Sequence, residues 1–240
     1  MADVLVLQHE HCEPLGTIED ALTNEALSFR YVQSYAGQPV PRELGEAPGL
    51  IVMGGPMGVY ETERYPFLKA EMRLIEQAVA CGVPTLGVCL GSQLIATVLG
   101  SVVRHGSEAE IGWHLLTRTA AGAADPLWQT LPSRFMGFHW HGDIFDAPPG
   151  AVSLAFSALT PCQAFRYGES AYGSLSHMEV TEAILNDWTM EFDGELAQAG
   201  LTAGPILDGI PAHLPLLQEI GGTVFGAWAA QAARYGSESR

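Results

Sequence analysis

Positive charge is what this 240-residue chain most lacks: 11 Lys and Arg stand against 27 Asp and Glu, for a formal charge of −16. Nucleic-acid binding needs clustered cations to neutralise phosphates, and no short window holds more than two, so nucleic acid is excluded as a partner. An anionic membrane surface is disfavoured for the same reason. No apolar run reaches the roughly 18–20 residues of a membrane span, so no membrane partner is expected. Met1-Ala2-Asp3-Val4 has no basic stretch ahead of an apolar core, which makes a secretory leader unexpected and a cytoplasmic location the default. Cysteine is scarce too. Cys12, Cys81, Cys89 and Cys162 are too few and too dispersed for a disulfide framework.

Charged residues make up 16% and hydrophobic residues 48%, the balance of a well-packed globular chain rather than a disordered one. The acidic excess reads as a solvated surface that favours solubility. In the first half, short apolar runs alternate with helical patterns. Strands are predicted at 4–8, 29–34, 49–53 and 83–88, and helices at 18–27, 67–81 and 90–99. The apolar spacing of Leu68, Met72, Ile75 and Val79 carries the second helix, and Gly82 closes it. Strand–helix–strand order at this tempo implies βαβ units. The second half has short runs at 113–119, 134–140, 152–156, 163–167 and 170–176, separated by turns such as Pro148-Pro149-Gly150. They read as an antiparallel or mixed layer added to the same sheet. From Val180 the chain reads as helical again, with a Gly/Pro-rich break around 200–215. The fold class is α/β: an open, mostly parallel, mixed sheet with helices on both faces.

The sharpest chemical signal is Gly87-Val88-Cys89-Leu90-Gly91, between a buried strand and a helix. A nucleophile flanked by glycines in that setting forms a tight elbow that lifts the side chain above the sheet edge. The helix N-terminus beside it favours thiolate over thiol. Such a nucleophile needs a base and an orienting group. His177 and Glu179 are two apart after a strand, so they project to one side. His139 and His141 in His139-Trp140-His141-Gly142-Asp143 also share a side and could suit a metal, as could His9-Glu10-His11-Cys12. Neither set has a third or fourth ligand at a familiar spacing, so no metal site is expected. The five tryptophans read as packing residues, and Cys81 as a small buried hydrophobe.

Four motifs, in order, are similar to those of the class I (triad) glutamine amidotransferases, in particular free-standing proteins resembling the glutaminase domain of GMP synthase. They are Gly49-Leu50-Ile51-Val52-Met53-Gly54-Gly55-Pro56, Gly87-Val88-Cys89-Leu90-Gly91-Ser92-Gln93, His141-Gly142-Asp143 and His177-Met178-Glu179. The resemblance covers about residues 45–190. It implies a flavodoxin-like fold, with residues 1–190 as the amidotransferase-like domain and 191–240 as a helical extension packed on it. It also implies Cys89, His177 and Glu179 as the catalytic triad, and the backbone amides of Gly55 and Leu90 as the oxyanion hole. Gln93, His141 and Gly54 become substrate-binding residues, with no metal or organic cofactor. Where the family reads Phe-His-Pro-Glu, this chain has Ser176-His177-Met178-Glu179. The missing proline frees the turn, and the missing aromatic opens the wall beside the imidazole.

The implied substrate is glutamine or a γ-glutamyl compound, hydrolysed through a Cys thioester. Residues 191–240 are too few for a synthase domain, so an ammonia acceptor is expected on a separate chain. Two alternatives stay open: a self-sufficient γ-glutamyl peptidase with the same triad, and a non-catalytic regulatory or binding protein on the same fold.

Overall fold

The computed structural model describes residues 2–238, which form a nine-stranded sheet in the order β2-β1-β3-β4-β9-β8-β7-β5-β6. Five strands make its parallel half: β1 (Val4–Gln8), β2 (Phe29–Gln33), β3 (Leu50–Val52), β4 (Thr85–Val88) and β9 (Ala171–Ser174). Every residue of β1, β3, β4 and β9 is buried. The reason is that both faces are covered, which is why these strands read as unbroken apolar runs. Val4 and Val6 of β1 join a core with α1 (Ile18–Asn24) and α7 (Ala203–Glu238). Leu5 and Leu7 point the other way, into a core with α2 (Phe67–Ala80) and α3 (Leu90–Val98).

From β9 onward the sheet is antiparallel through β8 (Ala164–Tyr167), β7 (Ala151–Phe156), β5 (Arg104–Arg118) and β6 (Arg134–Ile144). The short helix α4 (Ala120–Ala124) lies between β5 and β6, while α5 (Glu182–Glu191) and α6 (Asp193–Gln198) precede α7. The parallel strands all end at one edge of the sheet. In open α/β folds that edge is where ligands bind.

Three expectations need correction. β5 starts at Arg104, well before the predicted 113, because its first residues are polar and mostly exposed and show no apolar alternation. Their pairing with β6, across a register shift between His105 and Glu110, makes them a strand. The expected break around 200–215 is confined to residues 199–202, and α7 runs through Pro211 and Pro215. An interior proline costs a helix about 3 kcal/mol, but Ile206, Ile210, Leu214, Leu217, Val224, Phe225 and Trp228 form a buried stripe along this helix. Each contributes roughly 1.5–3 kcal/mol on burial, and both prolines are on the exposed side, where water can satisfy the freed carbonyls. Finally, Cys81 is exposed. The buried face of α2 runs through Leu68, Glu71, Leu74, Ile75 and Ala78, and the C-cap Cys81 falls off it.

Candidate active site

Cys89 follows β4 directly, with φ 48° and ψ −109°, one of two non-glycine residues with positive φ among those described. Such a conformation costs of order 1–3 kcal/mol and persists only where its surroundings enforce it. Here the Cys89 N–H donates to the Ser174 carbonyl at 2.8 Å, and the Gly91 N–H donates to the Met53 carbonyl at 3.1 Å. The turn is thereby tied to the strands on either side of β4. A Cβ on Gly91 would run into the Val52 carbonyl, and one on Gly87 would lie 2.6 Å from the Gly91 carbonyl group. That is the steric reason for the two glycines.

His177 arrives just beyond β9, and its N–H donates to the Phe138 carbonyl of β6 at 2.8 Å. Its Nδ1 donates to Glu179 Oε1 at 2.6 Å, and its ring lies near enough to Cys89 for each to shift the titration of the other, while the Cys89 thiol itself points to the Trp140 carbonyl at 3.7 Å. All three groups are buried, with exposures of 7%, 1% and 2% for Cys89, His177 and Glu179. Burial favours the neutral ring, but the Glu179 carboxylate overrides it and holds His177 well above the ordinary histidine range. Burial also pushes the Cys89 thiol up, against the pull of His177.

The proline-free turn is not loose. The Glu179 carbonyl accepts the Thr17 N–H at 2.9 Å and fills the space a Cβ on Gly16 would need, while the Met178 carbonyl sits against Gly221 of α7. Trp188 of α5 packs edge-on to His177, ring centroids 4.7 Å apart, and so closes the wall left by Ser176.

A second buried network lies behind Gly54. The His9 Nδ1–H donates to the Gly54 carbonyl at 2.9 Å, and Nε2 meets Glu71 Oε2 at 2.8 Å. Glu71 Oε1 accepts the Ser34 hydroxyl at 2.7 Å. A carbonyl and a carboxylate only accept, so both ring nitrogens donate and the ring is an imidazolium. Accordingly the Glu71 carboxylate raises His9 despite complete burial. Glu13 covers the Gly54 α-carbon, and burial pushes its carboxyl up to about 7.

These groups border an open cavity of about 560 Å³, a size typical of small-molecule sites. Of the residues singled out from sequence, Cys89, His177, Gly55, Gln93 and His141 line it. Leu90 lies beneath as the first residue of α3, where an amide has no partner within its own helix. Gly54 is not in the lining, since His9 holds its carbonyl from behind. Gln93 Nε2 donates to the Asp143 carbonyl at 3.4 Å. Sequence reasoning missed Glu13, Glu61 and Glu195, three carboxylates of the lining, and also Trp188 and Phe192; a fourth carboxylate, Asp143, ends the His141-Gly142-Asp143 motif, and no lysine or arginine lines the cavity among the described residues. Glu13 had a faint signal, as it follows β1 at the ligand-binding edge. Glu195 and Phe192 had none. The other candidate set disperses: His9 turns to Glu71, and His11 pairs at the surface with Glu10 at 2.7 Å.

A family model for glutamine amidotransferase class-I matches residues 18–181, and the chain belongs to that family. It is 35% identical over 194 residues to the glutamine amidotransferase-like protein YfeJ of Salmonella typhimurium, covering 80% of this chain and 81% of that one. It is 32% identical over 151 residues to the glutamine-hydrolysing GMP synthase of Thermomicrobium roseum, covering 61% of this chain but only 27% of that protein. Among solved structures, a glutamine amidotransferase from Thermotoga maritima superimposes with a TM-score of 0.86 at 33% identity, covering 95% of this chain and 98% of that one. One from Methylobacillus flagellatus gives 0.88 at 28% identity, covering 96% and 95%. Among the described residues no helix is long and apolar enough to cross a membrane.

Proposed function

We propose that this protein hydrolyses the γ-amide of glutamine through a Cys89 thioester, giving glutamate and ammonia for an acceptor on a separate chain. The observation that carries the reading is the buried row Cys89–His177–Glu179, whose first two members line the cavity and whose third bonds His177 from behind at 2.6 Å. Cys89 attacks the γ-carbonyl carbon as its proton passes to His177. Glu179 fixes the ring so that this proton can be handed on to the leaving nitrogen, and ammonia departs. Water then adds to the thioester, giving its proton to His177, and glutamate is released as the thiol re-forms. The backbone N–H groups of Gly55 and Leu90 are assigned to the oxyanion, where one such donor contributes roughly 3–4 kcal/mol to lowering the barrier. The His9 bond to the Gly54 carbonyl fixes the peptide that carries the Gly55 N–H. Gln93 and His141 are assigned to the substrate. In this reading residues 1–190 are the amidotransferase unit, and 191–240 an extension whose Phe192, Glu195, Gln198 and Ala199 wall the cavity.

That wall favours one second reading. The cavity extends past Cys89 to residues 192–199, room that suits the larger leaving group of a γ-glutamyl peptide. The test is glutamate release from glutamine and from a γ-glutamyl peptide, side by side, with Cys89→Ser as control. Release from glutamine that falls about 10⁴-fold or more in the variant supports the amidotransferase. Preference for the peptide makes the protein a self-sufficient peptidase. Release that survives in Cys89→Ser overturns both.

A further inference from the structure

The sequence shows His139 and His141 on one side of a strand without a third ligand; the sheet supplies one. In the β5–β6 register Glu110 is paired with His141, and Gly112, which has no side chain, is paired with His139. Two imidazoles and a carboxylate thus come together, all three buried, with ligand atoms within 4.8 Å of one another. Glu110 is held in place: its Oε2 accepts the Thr160 hydroxyl at 2.5 Å and the Gln163 amide at 2.9 Å. His141 Nε2 accepts from the same amide nitrogen at 3.2 Å, so it is the unprotonated nitrogen of the ring, its lone pair engaged by that N–H beside Glu110.

His139 is the telling residue. It is 0% exposed, and neither ring nitrogen has a hydrogen-bond partner. Buried polar groups are rarely left so. An ion pair with Glu110 does not satisfy the cluster: His141 Nε2 and Glu110 Oε2 stand 3.7 Å apart, beyond hydrogen-bond distance, and His139 has no acceptor or donor at all.

We propose that Glu110, His139 and His141 bind a divalent transition-metal ion, with Zn²⁺ the best match to two nitrogens and one carboxylate oxygen. Such a donor set suits borderline cations better than Ca²⁺ or Mg²⁺. The ion would tie β5 to β6, the strand whose Phe138 carbonyl holds the His177 N–H and whose Trp140 carbonyl receives the Cys89 thiol at 3.7 Å. The site shares His141 with the substrate assignment above and does not otherwise depend on the hydrolytic reading.

The test is a titration of the chelator-stripped full chain with Zn²⁺ against a competing chromophoric chelator, together with the absorption spectrum of the Co²⁺ form. One tight equivalent per chain is expected, weakened more than roughly a hundredfold in His139→Gln and in Glu110→Gln. Loss of an outer partner alone costs ~10–100-fold, so Thr160→Val is expected in that range, and it decides the matter if a ligand variant does not fold. Cys89→Ser should bind as the parent does, and the Co²⁺ spectrum should lack a sulfur charge-transfer band. No tight equivalent, binding that survives both ligand substitutions or Thr160→Val, or binding lost in Cys89→Ser would each overturn the proposal.

Discussion

Two buried histidines in this protein each face a glutamate carboxylate, His177 with Glu179 at 2.6 Å and His9 with Glu71 at 2.8 Å. Burial alone would lower both rings, and in both the carboxylate reverses it. What separates them is the other ring nitrogen. His9 donates it to the Gly54 carbonyl, which has no proton to exchange; His177 keeps it at the cavity shared with Cys89, whose thiol has one. The first pair is a clamp and the second a proton carrier in the proposed reaction. A third buried histidine, His141, has no carboxylate bonded to its ring, the nearest standing 3.7 Å away on Glu110.

The comparison breaks most visibly at Glu179. Glu179→Gln keeps the shape and removes the charge that orients the ring, and turnover is expected to fall about 10⁴-fold with the fold intact by circular dichroism. A loss under tenfold in steady-state assays would mean that the pair is a clamp like the other. Glu71→Ala should show the opposite balance: a buried His9 left unpaired costs about 3–5 kcal/mol, read as a lower urea midpoint, with a smaller proportional effect on turnover than in Glu179→Gln. Should turnover collapse while stability holds, His9 acts on the reaction and not on the scaffold.

Smaller effects come from pH. His9 is raised in the folded state, so its contribution to stability is complete below about 6.5 and disappears as pH rises through the folded value. The urea midpoint should decline on the alkaline side of that point, and less steeply in Glu71→Gln. Glu13 is a raised acid, so the folded state prefers it protonated. Its contribution is complete below about 4.5 and is lost as pH rises towards about 7. Glu13→Gln should remove that part of the slope, and an unchanged stability–pH curve would show that Glu13 does not titrate in this window.

Much of the site was legible because its determinants are local. Gly87 and Gly91 flank Cys89 within one turn, and the clash each would make as another residue is with backbone a few positions away or on the neighbouring strand. His177 and Glu179 are two residues apart in extended chain, so their shared direction follows from backbone geometry. Glu71 was illegible for the opposite reason. A carboxylate on the inner face of α2 contradicts its apolar pattern until His9 and Ser34, distant in sequence, are brought against it. β5 was half hidden because its polar residues gain a strand conformation from β6, not from burying a face.

The sequence by itself determined four of the five strands of the parallel half, the elbow at Cys89 and the family, since apolar runs, glycine-bounded turns and short motifs act over a few residues. Tertiary structure decided the rest. Strand order sets β9 beside β4, which carries His177 to Cys89; β5–β6 pairing delivers Glu110 to His139 and His141; and a proline-bearing helix stays whole because its buried face outweighs its broken bonds. In each case a buried polar or strained group finds its partner on a distant segment, and only packing chooses which segment that is.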